Sequence, residues 1–183
     1  MDFVMTESNK FRMHGQVWAK LGNVTREQIL ENPDMHKNNL IVDVCSDQIA
    51  EWAFTGVITV VGDHVPGILT LAVGTGDVGW DLQNPPSATA NETQLYTELR
   101  RKTFSSKNYV DNLGSPSATR TNIIDFQTTF AESEAVGPLV EMGLFGGVGA
   151  LNSNGGTMIN ALNFPVINKP STSNLSILWR LTF

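Results

Sequence analysis

Toward the end of the chain, apolar side chains occupy every second position. Large apolar residues fill one face of this segment, and the intervening positions are mixed. The apolar face holds Leu175, Ile177, Trp179, Leu181 and Phe183, and the other face holds Ser176, Leu178, Arg180 and Thr182. A period of two over a whole segment predicts a half-buried β-strand over residues 174–183.

The same alternation recurs earlier in the chain. Residues 11–21 alternate cleanly, which predicts a long one-sided strand or extended arm. Six further segments are apolar or alternating and are separated by turns rich in Gly, Asn and Pro. These predicted strands cover residues 57–61, 68–73, 103–110, 120–131, 139–145 and 157–164.

Helical patterns are confined to the first hundred residues. Thr25 and Gln28 form a capping box that predicts a helix of about two turns, ended by Asn32 and Pro33. A second helix is predicted from Asn38 or Asn39 to about residue 54. Thr89 and Glu92 form another capping box, which predicts a third helix with Leu95 and Leu99 on its inner face, ending near Arg101.

Helices in the first half and strands in the second half favour an α+β fold that is mainly β. Short strands at regular spacing predict an antiparallel β-sandwich or open barrel, with two to three short helices in the N-terminal half. We expect residues 1–37 to form an arm or strand plus a short helix, and residues 38–183 to form one β-rich domain.

Composition narrows the range of partners. The 183 residues carry a net charge of −6, which argues against nucleic-acid binding. No apolar stretch is long enough to predict a membrane span, and the single cysteine, Cys45, excludes an intrachain disulfide. Only 16% of residues are charged, so we expect a largely neutral surface of the kind found where subunits meet.

Residues 74–79 match the G-x-G-x-x-G pattern of dinucleotide-binding loops after a predicted strand. A phosphate site also needs a helix immediately after the glycines, and Trp80, Asp81 and the pair Pro85–Pro86 interrupt any helix there. We therefore interpret these glycines as turn residues that need positive φ.

The other candidate chemical groups do not form a recognisable site either. His14, His36 and His64 lie far apart and lack companions at metal-ligand spacing. Glu132, Glu134 and Glu141 are candidates for paired carboxylates, but charges on the rim of a loop are the favoured interpretation. The sequence thus predicts no catalytic residue, no cofactor and no metal site, and it disfavours an enzyme.

The order of several short motifs carries a resemblance. A strand leads into Gly74-Thr75-Gly76, the run Glu141-Met142-Gly143-Leu144-Phe145 follows, and the last strand holds Trp179, Leu181 and Phe183. In this order the chain resembles a family of small bacteriophage virion structural proteins of the tail-fibre, baseplate or otherwise unassigned type, over about residues 38–183. The family offers no catalytic residues that could be carried over.

The resemblance implies a non-enzymatic tail, baseplate or fibre-attachment subunit. Such a subunit would be made in the host bacterial cytoplasm and incorporated into the virion. It would assemble symmetrically with itself, as a trimer or ring, and with other virion proteins. A capsid decoration or cement protein is the alternative within this class.

Exposed apolar side chains are the expected contact surface, and residues 11–21 are expected to reach a neighbouring subunit by strand addition. The candidate interface residues are Phe11, Met13, Val17, Trp18, Leu21, Trp80 and Leu178. The alternative of another class is a receptor- or glycan-binding module of a tail fibre. In that case Trp80 and its polar neighbours Asp81, Gln83 and Asn84 would form a platform for a sugar.

Overall fold

The computed structural model describes residues 14–42 and 67–183. In these residues the chain is mainly β, with one antiparallel sheet of ten strands and a single short helix. No helix in these two ranges is long and apolar enough to cross a membrane.

The elements follow one another along the chain with mostly short connections. They are β1 (His14–Leu21), α1 (Arg26–Glu31), β2 (Met35–Ile41), β3 (Ile68–Gly74), β4 (Glu98–Thr103), β5 (Ser106–Val110), β6 (Pro116–Ser117), β7 (Ile123–Phe130), β8 (Gly137–Gly146), β9 (Thr157–Lys169) and β10 (Leu175–Thr182). The order across the sheet is β4-β3-β8-β9-β2-β1-β10-β7-β5-β6.

The sheet has two halves, β4-β3-β8-β9 and β1-β10-β7-β5-β6, and strand β2 lies between them. The chain connects the two halves at two places. Residues 35–39 of β2 pair with β1, and Leu40 and Ile41 of the same strand pair with β9. Strand β4, which pairs with β3, continues through Phe104 and Ser105 directly into β5, which pairs with β7. The Ser105 N–H donates to the Gln127 carbonyl at 2.7 Å, so the turn itself is held against β7.

One hydrophobic core takes side chains from both halves of the sheet. From the β3-β8-β9 half it takes residues such as Leu71, Leu144 and Phe164; from the β1-β10-β7 half it takes Val17, Phe126 and Trp179. All six side chains are at most 4% exposed. Burial of this shared apolar surface is the main term that favours the folded state.

The predicted strand is confirmed as β10, but it is more than half-buried, because Ser176 and Leu178 on its second face are buried as well. Leu178 lies on that face and packs with Trp18 and Ile29 in a smaller cluster beneath α1. The capping box that starts α1 is also confirmed, because the Gln28 N–H donates to Thr25 Oγ1 at 3.3 Å and the Thr25 N–H donates to Gln28 Oε1 at 2.9 Å.

The predicted third helix is wrong. Residues 98–103 form β4, which pairs with β3, and residues 89–97 contain turns. Thr89 keeps only half of its capping box, because its N–H donates to Glu92 Oε1 at 2.9 Å. Two apolar residues four positions apart, such as Leu95 and Leu99, fit one face of a helix and also one face of a strand. The long-range pairing of residues 98–103 with β3 therefore decides the conformation.

The predicted second helix is wrong at its start, because Asn38 and Asn39 lie within β2. The remainder of that helix and the strand predicted at residues 57–61 fall outside the described residues. The two to three helices expected in the N-terminal half are therefore not confirmed, since the structure assigns one helix, α1, in residues 14–42 and 67–183.

The predicted boundary between residues 37 and 38 falls inside β2, and β1 is an internal strand. It pairs with β10 along one edge and with β2 along the other. Residues 15–19 are thus paired on both edges and have no free edge for strand addition to a neighbouring subunit. Residues 11–13 of the predicted arm lie outside the described residues.

Candidate functional site

Between β3 and β4 the chain runs through residues 75–97 without regular secondary structure. This segment, called the 75–97 loop below, contains three carboxylates, Asp77, Asp81 and Glu92, and no Lys, Arg or His. Loops of this length inside a compact fold are uncommon and are often functional. The 75–97 loop is therefore the leading candidate for a functional site.

A buried carboxylate ties the two ends of this loop together. Glu141 lies in β8 opposite Gly74 and is 1% exposed. Its Oε1 accepts N–H bonds from Gly76 at 3.0 Å and Thr97 at 2.9 Å, and its Oε2 accepts one from Tyr96 at 2.9 Å. Burial raises the pKa of Glu141, although the three backbone N–H bonds act in the opposite direction.

Two glycines make this arrangement possible. A side chain at Gly74 would collide with the Glu141 carboxylate, and one at Gly76 would collide with the Trp80 ring and Val140. Gly76 also has a φ of +71°, which favours glycine. No helix follows these glycines. The positive φ expected of them is found at Gly76, whereas the expectation is wrong for Gly74, which ends β3, and for Gly79.

Trp80 and Tyr96 meet across the loop. Their ring centroids are 4.8 Å apart at an interplanar angle of 62°, an edge-to-face arrangement. Tyr96 is 53% exposed and Trp80 is half-buried. We call this pair the aromatic platform.

Strand β9 holds the middle of the loop. The Val166 N–H donates to the Leu82 carbonyl at 2.8 Å, and the Asn163 side-chain amide donates to the Pro86 carbonyl at 3.0 Å. Asp81 accepts the Gln83 N–H at 3.0 Å and lies 3.3 Å from the Asn84 amide. The loop is thus fixed at several points despite its lack of regular structure.

A shallow concavity of about 330 Å³ adjoins the aromatic platform. Tyr96 belongs to both features. The concavity is otherwise lined mostly by polar side chains, and its lining residues are Thr89, Asn91, Glu92, Thr93, Gln94, Leu95 and Tyr96. An aromatic surface with hydroxyl, amide and carboxylate groups next to it can bind a small polar ligand with an apolar face.

The three glutamates considered as a carboxylate pair have different environments. Glu134 contacts Lys102 at 2.5 Å and Arg100 at 2.8 Å and accepts the Ala131 N–H at 2.9 Å. These contacts, led by Lys102, lower the pKa of Glu134 to about 2. Glu141 instead binds the 75–97 loop, and Glu132 is exposed, so the interpretation of these residues as loop-rim charges is wrong for Glu141.

A second buried ionic group lies beneath α1 and a neighbouring turn. Asp125 is 1% exposed and accepts bonds from Arg180 at 2.7 Å and 2.9 Å and from Arg26 at 2.6 Å and 2.9 Å. Arg26 also donates to the Gly114 carbonyl at 2.5 Å. Asp125 thereby fixes α1 and the turn around Gly114 against the sheet.

A third ionic group holds the connection between β8 and β9. Arg101 pairs with Glu98 at 2.6 Å and donates to the carbonyls of Ala150 at 3.1 Å and Gly155 at 2.5 Å. Its guanidinium lies 3.9 Å from the centre of the Phe145 ring. Like Asp125 and Glu141, this pair is used to fix loops to the sheet.

No group of three or more potential metal ligands occurs in residues 14–42 and 67–183. His36 stacks on Trp18 with ring centroids 4.6 Å apart, and His14 lies in β1 opposite Thr182. His64 is outside the described residues. The structure therefore brings no metal-binding cluster together in the part that it describes.

The expectation that Trp18 and Leu178 are exposed is wrong. Trp18 is 7% exposed, and Val17 and Leu178 are fully buried, because β1 is internal and α1 covers the adjoining face. Leu21 is half-buried against the main core, and Trp80 is half-buried at the surface. Phe11 and Met13 are outside the described residues, so their predicted interface role stays a prediction.

Among the described residues, the four most exposed aliphatic side chains lie instead on loops. Val78, Leu113, Val148 and Leu151 are each at least 58% exposed. Sequence patterns did not single out these residues or Tyr96, because periodicity says little about irregular segments. Glu141 offered one usable clue, since it is a lone charge within the apolar segment that forms β8.

Comparisons with known proteins add no relative. Neither a scan against protein-family models nor a search of curated proteins gave a match for this chain.

Proposed function

We propose that this chain is a non-enzymatic structural subunit of a bacteriophage virion, part of a tail, baseplate or fibre attachment. The motif order described above supports the proposal. The structural observation that carries it is the use of buried charge. Asp125, Glu141 and the Glu98–Arg101 pair all serve to fasten loops to the sheet, which suits a rigid scaffold rather than a reacting site.

We also infer that the ten-stranded sheet closes over its shared core as an antiparallel β-sandwich. Two crossings support this inference, one through β2 and one from β4 into β5. A core drawn from both halves is what two sheets packed face to face require.

The loops supply the contact surface in this proposal. Val78 is fully exposed and Leu113 is 92% exposed, and Val148 and Leu151 are more than half exposed. Exposed apolar side chains on fixed loops suit permanent contact with other subunits. Symmetric self-assembly as a trimer or ring, together with docking to other virion proteins, is therefore part of the proposal.

Immunogold labelling of intact particles tests the virion assignment. Particles of the virus that encodes this chain are labelled with an antibody against it and imaged by electron microscopy. We expect label on the tail, baseplate or fibre attachment. Label distributed over the head would favour the capsid decoration alternative, and particles without label would refute the virion proposal.

Light scattering of the purified full chain tests self-assembly separately. We expect a mass of three or more times the 20.0 kDa of one chain, as a trimer or ring requires. A variant with Val78, Leu113, Val148 and Leu151 all changed to Ser should shift toward the monomer, whereas an exposed polar change such as Gln83→Ser should not. A wild-type monomer at all concentrations would contradict self-assembly.

A further inference from the structure

We propose that the aromatic platform and the adjoining concavity bind a neutral saccharide. The ligand class is a hexose or N-acetylhexosamine unit without acidic groups. This inference does not depend on the virion assignment, because it rests on the geometry and charge of the 75–97 loop alone.

The aromatic platform matches the apolar side of such a ligand. A pyranose presents a face of C–H bonds, and Trp80 and Tyr96 offer a partly exposed aromatic surface at which that face can stack. The edge-to-face contact between the rings fixes their relative orientation. The Trp80 ring also packs directly over Gly76, which keeps it in place.

The concavity matches the polar side of the ligand. Thr93 and Gln94 line it next to Tyr96, and both are exposed. A hydroxyl and a primary amide together provide donors and acceptors suited to sugar hydroxyls. Glu92 adds a carboxylate, which accepts hydrogen bonds from vicinal hydroxyl groups.

The charge of the loop disfavours anionic ligands. Asp77, Asp81 and Glu92 are its only ionisable side chains apart from Tyr96. A phosphate, a sulfated glycan or a sialylated glycan would meet these carboxylates without a compensating Lys or Arg in the loop. A neutral sugar avoids this repulsion.

The loop is ordered before any ligand arrives. Glu141 binds Gly76 and Tyr96 at the two ends, and β9 holds Leu82 and Pro86 between them. A site fixed in this way loses little conformational entropy on binding. Glu141 acts here as a positioning residue and does not itself contact the sugar.

A glycan array with the purified full chain tests the proposal. The probes are glucose-, galactose- and N-acetylglucosamine-terminated glycans together with their sialylated and sulfated counterparts. We expect binding to at least one neutral glycan and weaker binding to its acidic counterparts. The best neutral probe is then titrated into ¹⁵N-labelled protein, where the Trp80 indole signal and the amides of residues 89–96 should shift.

Variants separate a specific site from nonspecific adhesion. Tyr96→Ser and Gln94→Ala change exposed side chains and should each weaken binding about tenfold. Asn108→Ser, a change at an exposed position outside the 75–97 loop, should leave binding unchanged. Trp80→Ala should abolish binding, and a circular dichroism melt of each variant checks that the fold persists.

Three outcomes would overturn the proposal. These are no binding to any neutral glycan, stronger binding to the acidic counterparts, or full binding by both Tyr96→Ser and Gln94→Ala. Each is distinguishable from a failure of the virion assignment, which is decided by labelled particles.

Discussion

Glu134 and Glu141 lie in the same part of the chain, but their surroundings move their pKa values in opposite directions. Lys102, Arg100 and a backbone N–H lower the pKa of Glu134 to about 2. Burial raises the pKa of Glu141. Because the folded-state pKa of Glu141 exceeds its ordinary value, its contribution to stability is present at acid pH and is lost as the pH rises through that pKa.

Glu134 should contribute stability that is lost on the acid side of the pH profile. Its folded-state pKa lies below the ordinary value of 4.5, so its contribution is present above that value and is lost as the pH falls toward about 2. Glu134→Gln should cost about 1–2 kcal/mol at neutral pH, allowing for solvent screening. Urea unfolding at several pH values should show the variant and wild type converging near pH 2, and a constant difference would contradict this.

Glu141→Gln should destabilise the fold by about 2 kcal/mol. An amide can accept hydrogen bonds at only one of its two ends, so its NH₂ group would face at least one of the N–H donors of Gly76, Tyr96 and Thr97. Urea unfolding measures the loss. Glu132→Gln, which changes an exposed carboxyl, is the matched control and should have little effect.

At the scale of elements, an apolar alternation with a period of two identifies one buried face of a strand. It does not tell whether the opposite face is buried too. The alternation in β10 correctly placed Leu175, Ile177 and Trp179 in the core. It left Leu178 on the other face, and α1 buries that residue from a distant part of the sequence. Burial of a second face depends on which element covers it, and no local pattern contains that information.

The failed third helix has a related cause. Leu95 and Leu99 fit a helical stripe, but residues 98–103 pair with β3 instead. Leu95 is buried in a separate small cluster with residues of β3, β8 and β9, and Leu99 remains 41% exposed. Backbone pairing between distant segments here outweighs local propensity.

Gly76→Ala tests how far the 75–97 loop depends on its glycine. The new methyl group would collide with Trp80 and Val140 at a φ of +71°, so we expect a loss of about 2–4 kcal/mol in unfolding free energy. Gly79→Ala is the control, because its methyl group would have 3.8 Å to its nearest neighbour, Asp77 Oδ1. Thermal melts of the two variants should differ clearly, and equal melting temperatures would contradict the packing described.

At the scale of the whole molecule, a single core joins the two halves of the sheet. Trp179, Phe126 and Leu71 belong to the same cluster although they come from strands far apart in the sequence. Neither half can keep its apolar face covered without the other. Residues 14–42 and 67–183 should therefore unfold in one cooperative transition.

Equilibrium unfolding measures this cooperativity directly. Tryptophan fluorescence and far-ultraviolet circular dichroism should give coincident urea transitions, because loss of the core exposes Trp179 and removes the strands together. The Ile177→Ala variant should shift both transitions equally, by about 2–4 kcal/mol. Separate transitions for the two probes would show that the halves unfold independently.

The candidate site was only partly predictable for the same long-range reason. Trp80 and its polar neighbours follow from a local run of sequence. Tyr96 contacts Trp80 because the 75–97 loop turns back on itself and Glu141, a residue of β8, binds both ends of the loop. Contacts of this kind depend on the completed sheet and have no local pattern.

The position of β10 has a consequence for how the protein is made. This strand is the last of the ten in sequence, yet it lies between β1 and β7. On the ribosome, both of those neighbours keep an unpaired edge until residues 175–182 have been translated. Completion of the core is thus a late event in biogenesis, and nascent chains stalled before residue 175 should be readily digested by proteases and dependent on chaperones.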